Sequence, residues 1–183
     1  MALKATIFKA QLGIADMDRP YYGDHVVTVA RHPSETDERM LVRLIAFALH
    51  ADDALGFGKG LSTDDEPDLW RRDLTGVIER WIDVGLPDEK RVRKACGRAA
   101  EVFVYSYGGR GADLWWRQNA GTFERLRNLT VINLRYGSSP ALANLATRSM
   151  DLRFTVQDRH IWITDGAATV EVEPAMLTAP GRG

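Results

Sequence analysis

Apolar and polar residues alternate through ATIFKAQLGIA near the amino terminus and again through HVVTVA from His25 to Ala30. Period two is the signature of a strand with one buried face, and the turn-like DMDRPYYGD between the runs predicts a hairpin over Ala2–Ala15 and His25–Ala30. Pro33 and Ser34 then interrupt the pattern, and Leu41, Leu44, Ile45 and Ala48 recur at helical spacing. With Ser34 as cap and Asp37 three residues on, this predicts a helix over Glu35–His50.

Beyond that helix the pattern returns to strands. ALGFGKGLS, then an arm ending in DDEPDLW, then VIERWIDVG after a turn at Asp73–Gly76, read as three consecutive strands. Pro87 suits the first position of a second helix, Asp88 and Glu89 favour its positive end, and Val92, Ala95, Cys96 and Ala99 form its apolar stripe. EVFVYSY is a strand, the GGRG loop precedes a short helix with Trp115 and Trp116, and LTVINL is a buried strand. Ser139–Arg148 reads as a last helix. A meander of Leu152–Gln157, His160–Thr164 and Thr169–Glu173 and a frayed APGRG tail complete the chain.

These elements predict one α/β domain over residues 1–183, with a core over 35–148 and β segments at 1–31 and 151–174 pairing as an accessory sheet. Composition narrows the function classes. The 183 residues are 45% hydrophobic and 27% charged, which excludes a disordered or fibrous chain. Lys and Arg number 24 against 25 acids, so any contact with nucleic acid depends on a local patch. Cys96 is the only cysteine, which excludes an internal disulfide and a thiolate zinc site. The opening MALKATIF lacks the order of an export signal, and no apolar run reaches the roughly 18 residues of a membrane span. A soluble, cytoplasmic protein without a membrane partner is expected.

The candidate chemistry lies between Glu66 and Ala95. A two-residue loop at Thr75-Gly76 sets Asp68 opposite Asp83, with Cβ atoms roughly 4.5–5.5 Å apart. Carboxylates that close favour a cation between them, and oxygen ligation suits Mg²⁺ or Mn²⁺. A three-residue turn with a glycine bulge fits the same residues and shifts the register by one, turning the two carboxylates to opposite faces.

Glu38, near the inward face of the first helix, offers a third carboxylate, with Glu35 one turn earlier as the fallback. Lys90, Arg91, Arg93, Lys94 and Arg98 form a basic cluster after Asp83, suited to phosphate. Arg91 flanks the apolar stripe and reaches inward, whereas Lys94 lies nearly opposite it and faces solvent.

Each candidate also has a purely structural reading. Asp68 is then a solvated acid, Asp83 a strand-to-helix turn residue, and Glu38 a helix-dipole partner. Glu79 falls near 13 Å from Asp83 at about 3.3 Å per residue and is structural. The tryptophan pair is core rather than a stacking platform, and Cys96 is packing. The four histidines show no ligand spacing, and GGRG lacks the lysine of a phosphate-binding loop.

ARHPSETDERM at 30–40, GLSTDDEPDLW at 60–70 and WIDVGLPDEKRVRKACGRA at 81–99 resemble the YaeQ family, and the resemblance runs over essentially the whole chain. It implies a restriction-endonuclease-like fold of the PD-(D/E)XK superfamily, a mixed sheet flanked by helices with a metal site on a strand hairpin. Carried over, Pro67-Asp68 is the PD, Asp83 the following acid and Glu38 the acid of the first helix. Gly85 stands where the motif has lysine, which transfers that role to Lys94 or Arg91.

The expected function is a Mg²⁺- or Mn²⁺-dependent, nuclease-like phosphodiesterase, with Glu38, Asp68 and Asp83 on the metal and Arg91 or Lys94 on the phosphate. The alternative is a catalytically idle relative that binds nucleic acid or a protein partner through the basic helix or the GGRG loop.

Overall fold

The computed structural model describes residues 4–181, so Ala2, Leu3 and the last two residues of the APGRG tail lie outside the described residues. In chain order the first elements are β1 (Thr6–Asp16), β2 (Tyr21–Arg31), α1 (Asp37–His50), β3 (Leu55–Phe57), a 3-10 turn (Gly60–Ser62), β4 (Leu69–Arg72) and β5 (Ile78–Val84). They are followed by α2 (Glu89–Arg98), β6 (Ala99–Ser106), α3 (Arg110–Phe123), β7 (Leu129–Tyr136), α4 (Ser139–Ala143), β8 (Ser149–Gln157), β9 (His160–Thr164) and β10 (Thr169–Thr178). This is a mixed α/β protein. Among the described residues no helix is long and apolar enough to cross a membrane.

The chain divides into two compact units, residues 1–49 with 136–174 and residues 50–135 with 175–183. The first contains the two terminal β segments and nearly all of α1, which the sequence had placed with the core. Its strands follow the order β2-β1-β8-β9-β10, antiparallel except where β1 runs parallel to β8. Alternation along β1 buries Phe8, Ala10, Leu12 and Ile14, and α1 covers its own stripe of Leu41, Leu44, Ile45 and Ala48.

In the second unit the strand order is β7-β6-β5-β4-β3, with β5, β6 and β7 parallel and β3, β4 and β5 antiparallel. Helices α2 and α3 contribute Val92, Ala95, Trp115 and Phe123 to a core with Trp81, Val102, Val104, Leu129 and Val131. Of the parallel strands, β7 is mostly apolar and buried, whereas β5 carries Glu79, Arg80 and Asp83 among its apolar residues.

Several element ends differ from the sequence expectation, each for a local reason. Thr36, not Ser34, caps α1, its Oγ1 accepting the Arg39 N–H at 3.1 Å; Ser34 instead bonds to His32 Nδ1. Asp88 caps α2 by accepting the Arg91 N–H at 2.8 Å, so Pro87 precedes the helix rather than opening it. Helix α3 spans 14 residues rather than the short helix expected. Helix α4 stops at Ala143, because the Arg148 carbonyl must already accept the Lys9 N–H where β8 joins β1. Strand β10 continues past Glu173 to Thr178, and Leu177 packs on the core of the second unit.

The β4–β5 hairpin decides the register question. Asp73 N–H donates to the Val77 carbonyl, leaving Leu74, Thr75 and Gly76 as a three-residue turn, with Gly76 at φ +90°. That turn alone gives the register that separates the aspartates. A bulge between Arg71 and Arg72 then absorbs Glu79, so that Arg71 pairs with Arg80 and Leu69 with Ile82. The extra residue cancels the shift made by the turn, and Asp68 and Asp83 come to the same end and face of the hairpin.

Candidate functional site

Asp68 sits one residue before β4 and Asp83 near the end of β5, and both are buried. The Asp68 N–H donates to Asp83 Oδ1 at 3.3 Å, and the Val84 N–H donates to Asp68 Oδ2 at 2.9 Å. Trp81, two residues before Asp83 and so on the same strand face, donates its indole N–H to Asp83 Oδ2 at 3.0 Å.

The Asp88 cap starts α2 at the right point to carry Arg91 over this pair. Arg91 Nε donates to Asp83 Oδ2 at 2.8 Å and Nη2 to Asp83 Oδ1 at 3.0 Å, a bidentate fork. Nη2 also donates to the Glu66 carbonyl at 3.0 Å and Nη1 to the Thr63 carbonyl at 3.3 Å, with Asp64 at 3.6 Å. Burial, the largest single influence on this guanidinium, lowers its pKa. The hydrogen bond and charge of Asp83, then the charges of Asp68 and Asp64, outweigh it and leave the pKa raised. Arg91 is therefore a permanent cation at the pair.

The rest of the basic helix meets the acidic segment 63–66. Lys94 Nζ donates to Asp65 Oδ1 at 2.8 Å, and Arg98 Nη1 donates to the Asp65 carbonyl at 2.8 Å. The hydrogen bond and charge of Lys94 hold the Asp65 carboxyl below its ordinary 3.8, with a smaller contribution from Arg98. The segment closes on itself, the Lys59 N–H donating to Glu66 Oε2 at 2.9 Å and the Gly60 N–H to the Pro67 carbonyl at 3.1 Å. Gly60 has φ +49°, and a Cβ there would stand 2.4 Å from Asp68 Oδ1, so the 3-10 turn lies directly on that carboxylate.

The structure thus brings together Asp68, Asp83 and Arg91, with Lys94 on the segment beside them. Glu38 belongs to the other unit, where its Oε2 accepts from the Tyr136 hydroxyl at 2.7 Å. Glu35, the fallback, is buried in the same unit between Arg39 and Arg43, each donating to it at 2.6 Å. Among the described residues no group of three or more His, Cys, Asp or Glu side chains is placed to hold a metal ion. Asp68 and Asp83 are oxygen donors of the kind Mg²⁺ takes, and in this arrangement the Arg91 fork and two further N–H groups occupy Asp83.

Gly85, just after β5, has φ +100°, a conformation unfavourable to any other residue. Trp115 is core and donates its indole N–H to the Pro87 carbonyl at 2.8 Å, while Trp116 packs beside it. Glu79 pairs with Arg71 at 3.1 Å. Burial pushes the Cys96 thiol up to about 11, consistent with packing rather than reactivity.

Two participants were missed in the sequence. Trp81 was detectable from its i, i+2 relation to Asp83. The acids at 64–66 carried a weaker signal, charge opposite to that of α2.

A family model described as YaeQ protein matches residues 1–174. An uncharacterized protein YaeQ of Escherichia coli strain K12 is 46% identical over 172 residues, covering 94% of this chain and 95% of that protein. Its namesake from Salmonella typhi is 44% identical over 173 residues, covering 94% and 96%. The crystal structure of a YaeQ protein from Xanthomonas axonopodis pv. citri superposes with a TM-score of 0.92 at 51% identity, covering 96% of this chain and 99% of that one. A YaeQ protein structure from Pseudomonas syringae gives 0.88 at 32% identity, covering 96% and 97%. The chain belongs to the YaeQ family.

Proposed function

We propose that this YaeQ-family chain is a nuclease-like phosphodiesterase on a restriction-endonuclease-like, PD-(D/E)XK framework, with Asp68 and Asp83 holding Mg²⁺ or Mn²⁺. One observation carries the reading: two buried carboxylates, one just before β4 and one near the end of its antiparallel neighbour β5, meet at one end of the hairpin, and a permanent cation faces them. When bound, a divalent ion supplies Lewis-acid polarisation of a phosphoryl oxygen and lowers the pKa of its water.

The chain's own residues do the rest. Trp81 orients the Asp83 carboxylate through its indole N–H, and the Val84 N–H orients Asp68. Arg91 exchanges Asp83 for the phosphate, where a planar fork stabilises developing charge on equatorial oxygens, and Lys94 contributes a second positive charge one turn along α2.

The test is Mn²⁺ titration followed by electron paramagnetic resonance on the wild type beside Asp83→Asn and Asp68→Asn. One-site binding lost in both variants supports the reading. Equal binding in all three overturns it. The four N–H donors already on Asp83 favour a second reading, in which the cluster is structural and the chain binds nucleic acid or a protein without turnover. Salt-sensitive oligonucleotide binding without cleavage in any divalent metal would select that alternative.

A further inference from the structure

Resting on the reading above, we propose that residues 59–66 form an acidic strap that shuts the Asp68–Asp83 site by occupying the basic face of α2, and that the phosphates of a nucleic-acid strand displace it. Arg91, Lys94 and Arg98 stand at i, i+3 and i+7 and form a ladder along one side of the helix. Each rung is taken by the same segment: Arg91 by the Thr63 and Glu66 carbonyls, Lys94 by the Asp65 carboxylate, and Arg98 by the Asp65 carbonyl. Asp64 adds a second carboxylate 3.6 Å from Arg91. Oxygen acceptors spaced along three cations imitate a phosphodiester backbone.

The strap also covers the carboxylates, since Gly60 lies against Asp68 and Arg91 is held on Asp83 from the strap side. Asp68 and Asp83 are each only 2% exposed, so neither a metal ion nor a phosphate reaches them while the strap is down. The two acid contacts of the latch are weakly held. Asp64 is 95% and Asp65 76% exposed at the side chain, and ion pairs of that kind are screened by salt and displaced by competing anions. The strap contributes few apolar side chains, and Leu61 within it is exposed, so local opening leaves the core intact.

The experiment compares the wild type, Asp64→Asn/Asp65→Asn and a control, Asp151→Asn/Glu173→Gln, which removes two exposed acids elsewhere. Two readouts are taken on each: amide hydrogen exchange at Gly60, Ser62 and Thr63, and Mn²⁺ affinity by electron paramagnetic resonance. The expected result is exchange at those amides and Mn²⁺ affinity both rising about tenfold in the strap variant and in neither readout of the control. A fluorescein-labelled single-stranded DNA oligonucleotide added to the wild type should likewise speed exchange at the same amides, and unchanged exchange overturns displacement by nucleic acid.

Unchanged exchange in the strap variant overturns the latch. Faster exchange with Mn²⁺ bound equally by wild type and variant overturns the gating while leaving the metal reading intact. Faster exchange with Mn²⁺ bound by neither overturns the metal reading, and the gating with it.

Discussion

Arg91 meets Asp83 through two hydrogen bonds, Nε to Oδ2 at 2.8 Å and Nη2 to Oδ1 at 3.0 Å, and this fork ties the first turn of α2 to the end of β5. With Asp83 buried and the Arg91 side chain 17% exposed, the pair sits where solvent screens it little. Removing one member strands the other, and the penalty for a buried charge without its partner exceeds the net worth of the pair.

Arg91→Gln should therefore destabilise the protein by about 3 kcal/mol in urea denaturation. Arg91→Lys should recover part of that loss, because it keeps the charge and loses the planar fork. A stability equal to wild type in Arg91→Gln would remove the pair from the structural account.

Gly60→Ala and Gly76→Ala separate backbone strain from steric contact. Both positions have positive φ, +49° and +90°, yet a Cβ at Gly60 meets Asp68 Oδ1 at 2.4 Å and one at Gly76 meets nothing within 4 Å. Thermal melting should show a loss of about 1–3 kcal/mol for the turn variant from strain alone. The Gly60 variant should lose more and speed amide exchange across 59–66.

The first unit has its own buried ion cluster, Glu35 between Arg39 and Arg43. Glu35→Gln should cost about 3 kcal/mol, since it leaves two arginines facing a neutral amide. Glu38→Gln should cost about 1 kcal/mol or less, the amide oxygen still accepting from Tyr136, and should leave Mn²⁺ binding unchanged. Calorimetry and the Mn²⁺ titration read the two effects separately.

Cys96 should react slowly with iodoacetamide. A thiol at about 11 carries about a hundredfold less thiolate at pH 8 than one at 9.0, and the rate should climb with pH up to about 11. A rate that plateaus near pH 9 would show that the thiol is not buried as placed.

By itself the sequence determined what depends on neighbours in the chain. The alternation of Phe8, Ala10, Leu12 and Ile14 and the helical spacing of Leu41, Leu44, Ile45 and Ala48 state which face of each element is buried. Caps and ends were less legible, because Ser34 and Thr36, or Pro87 and Asp88, are chemically adequate alternatives whose choice depends on where the chain must go next.

Only the tertiary structure decided the register and the assignment of charge. The three-residue turn at Leu74–Gly76 and the bulge at Glu79 each shift the hairpin by one residue, and their cancellation puts Asp68 beside Asp83. Side chains alternate faces with period two, so one uncancelled residue would have separated the pair. Likewise, five basic residues on α2 read as a free cluster until the 59–66 segment folds back across three of them. That pairing joins residues some 30 positions apart, and a Coulomb interaction depends on distance in space rather than on separation along the chain.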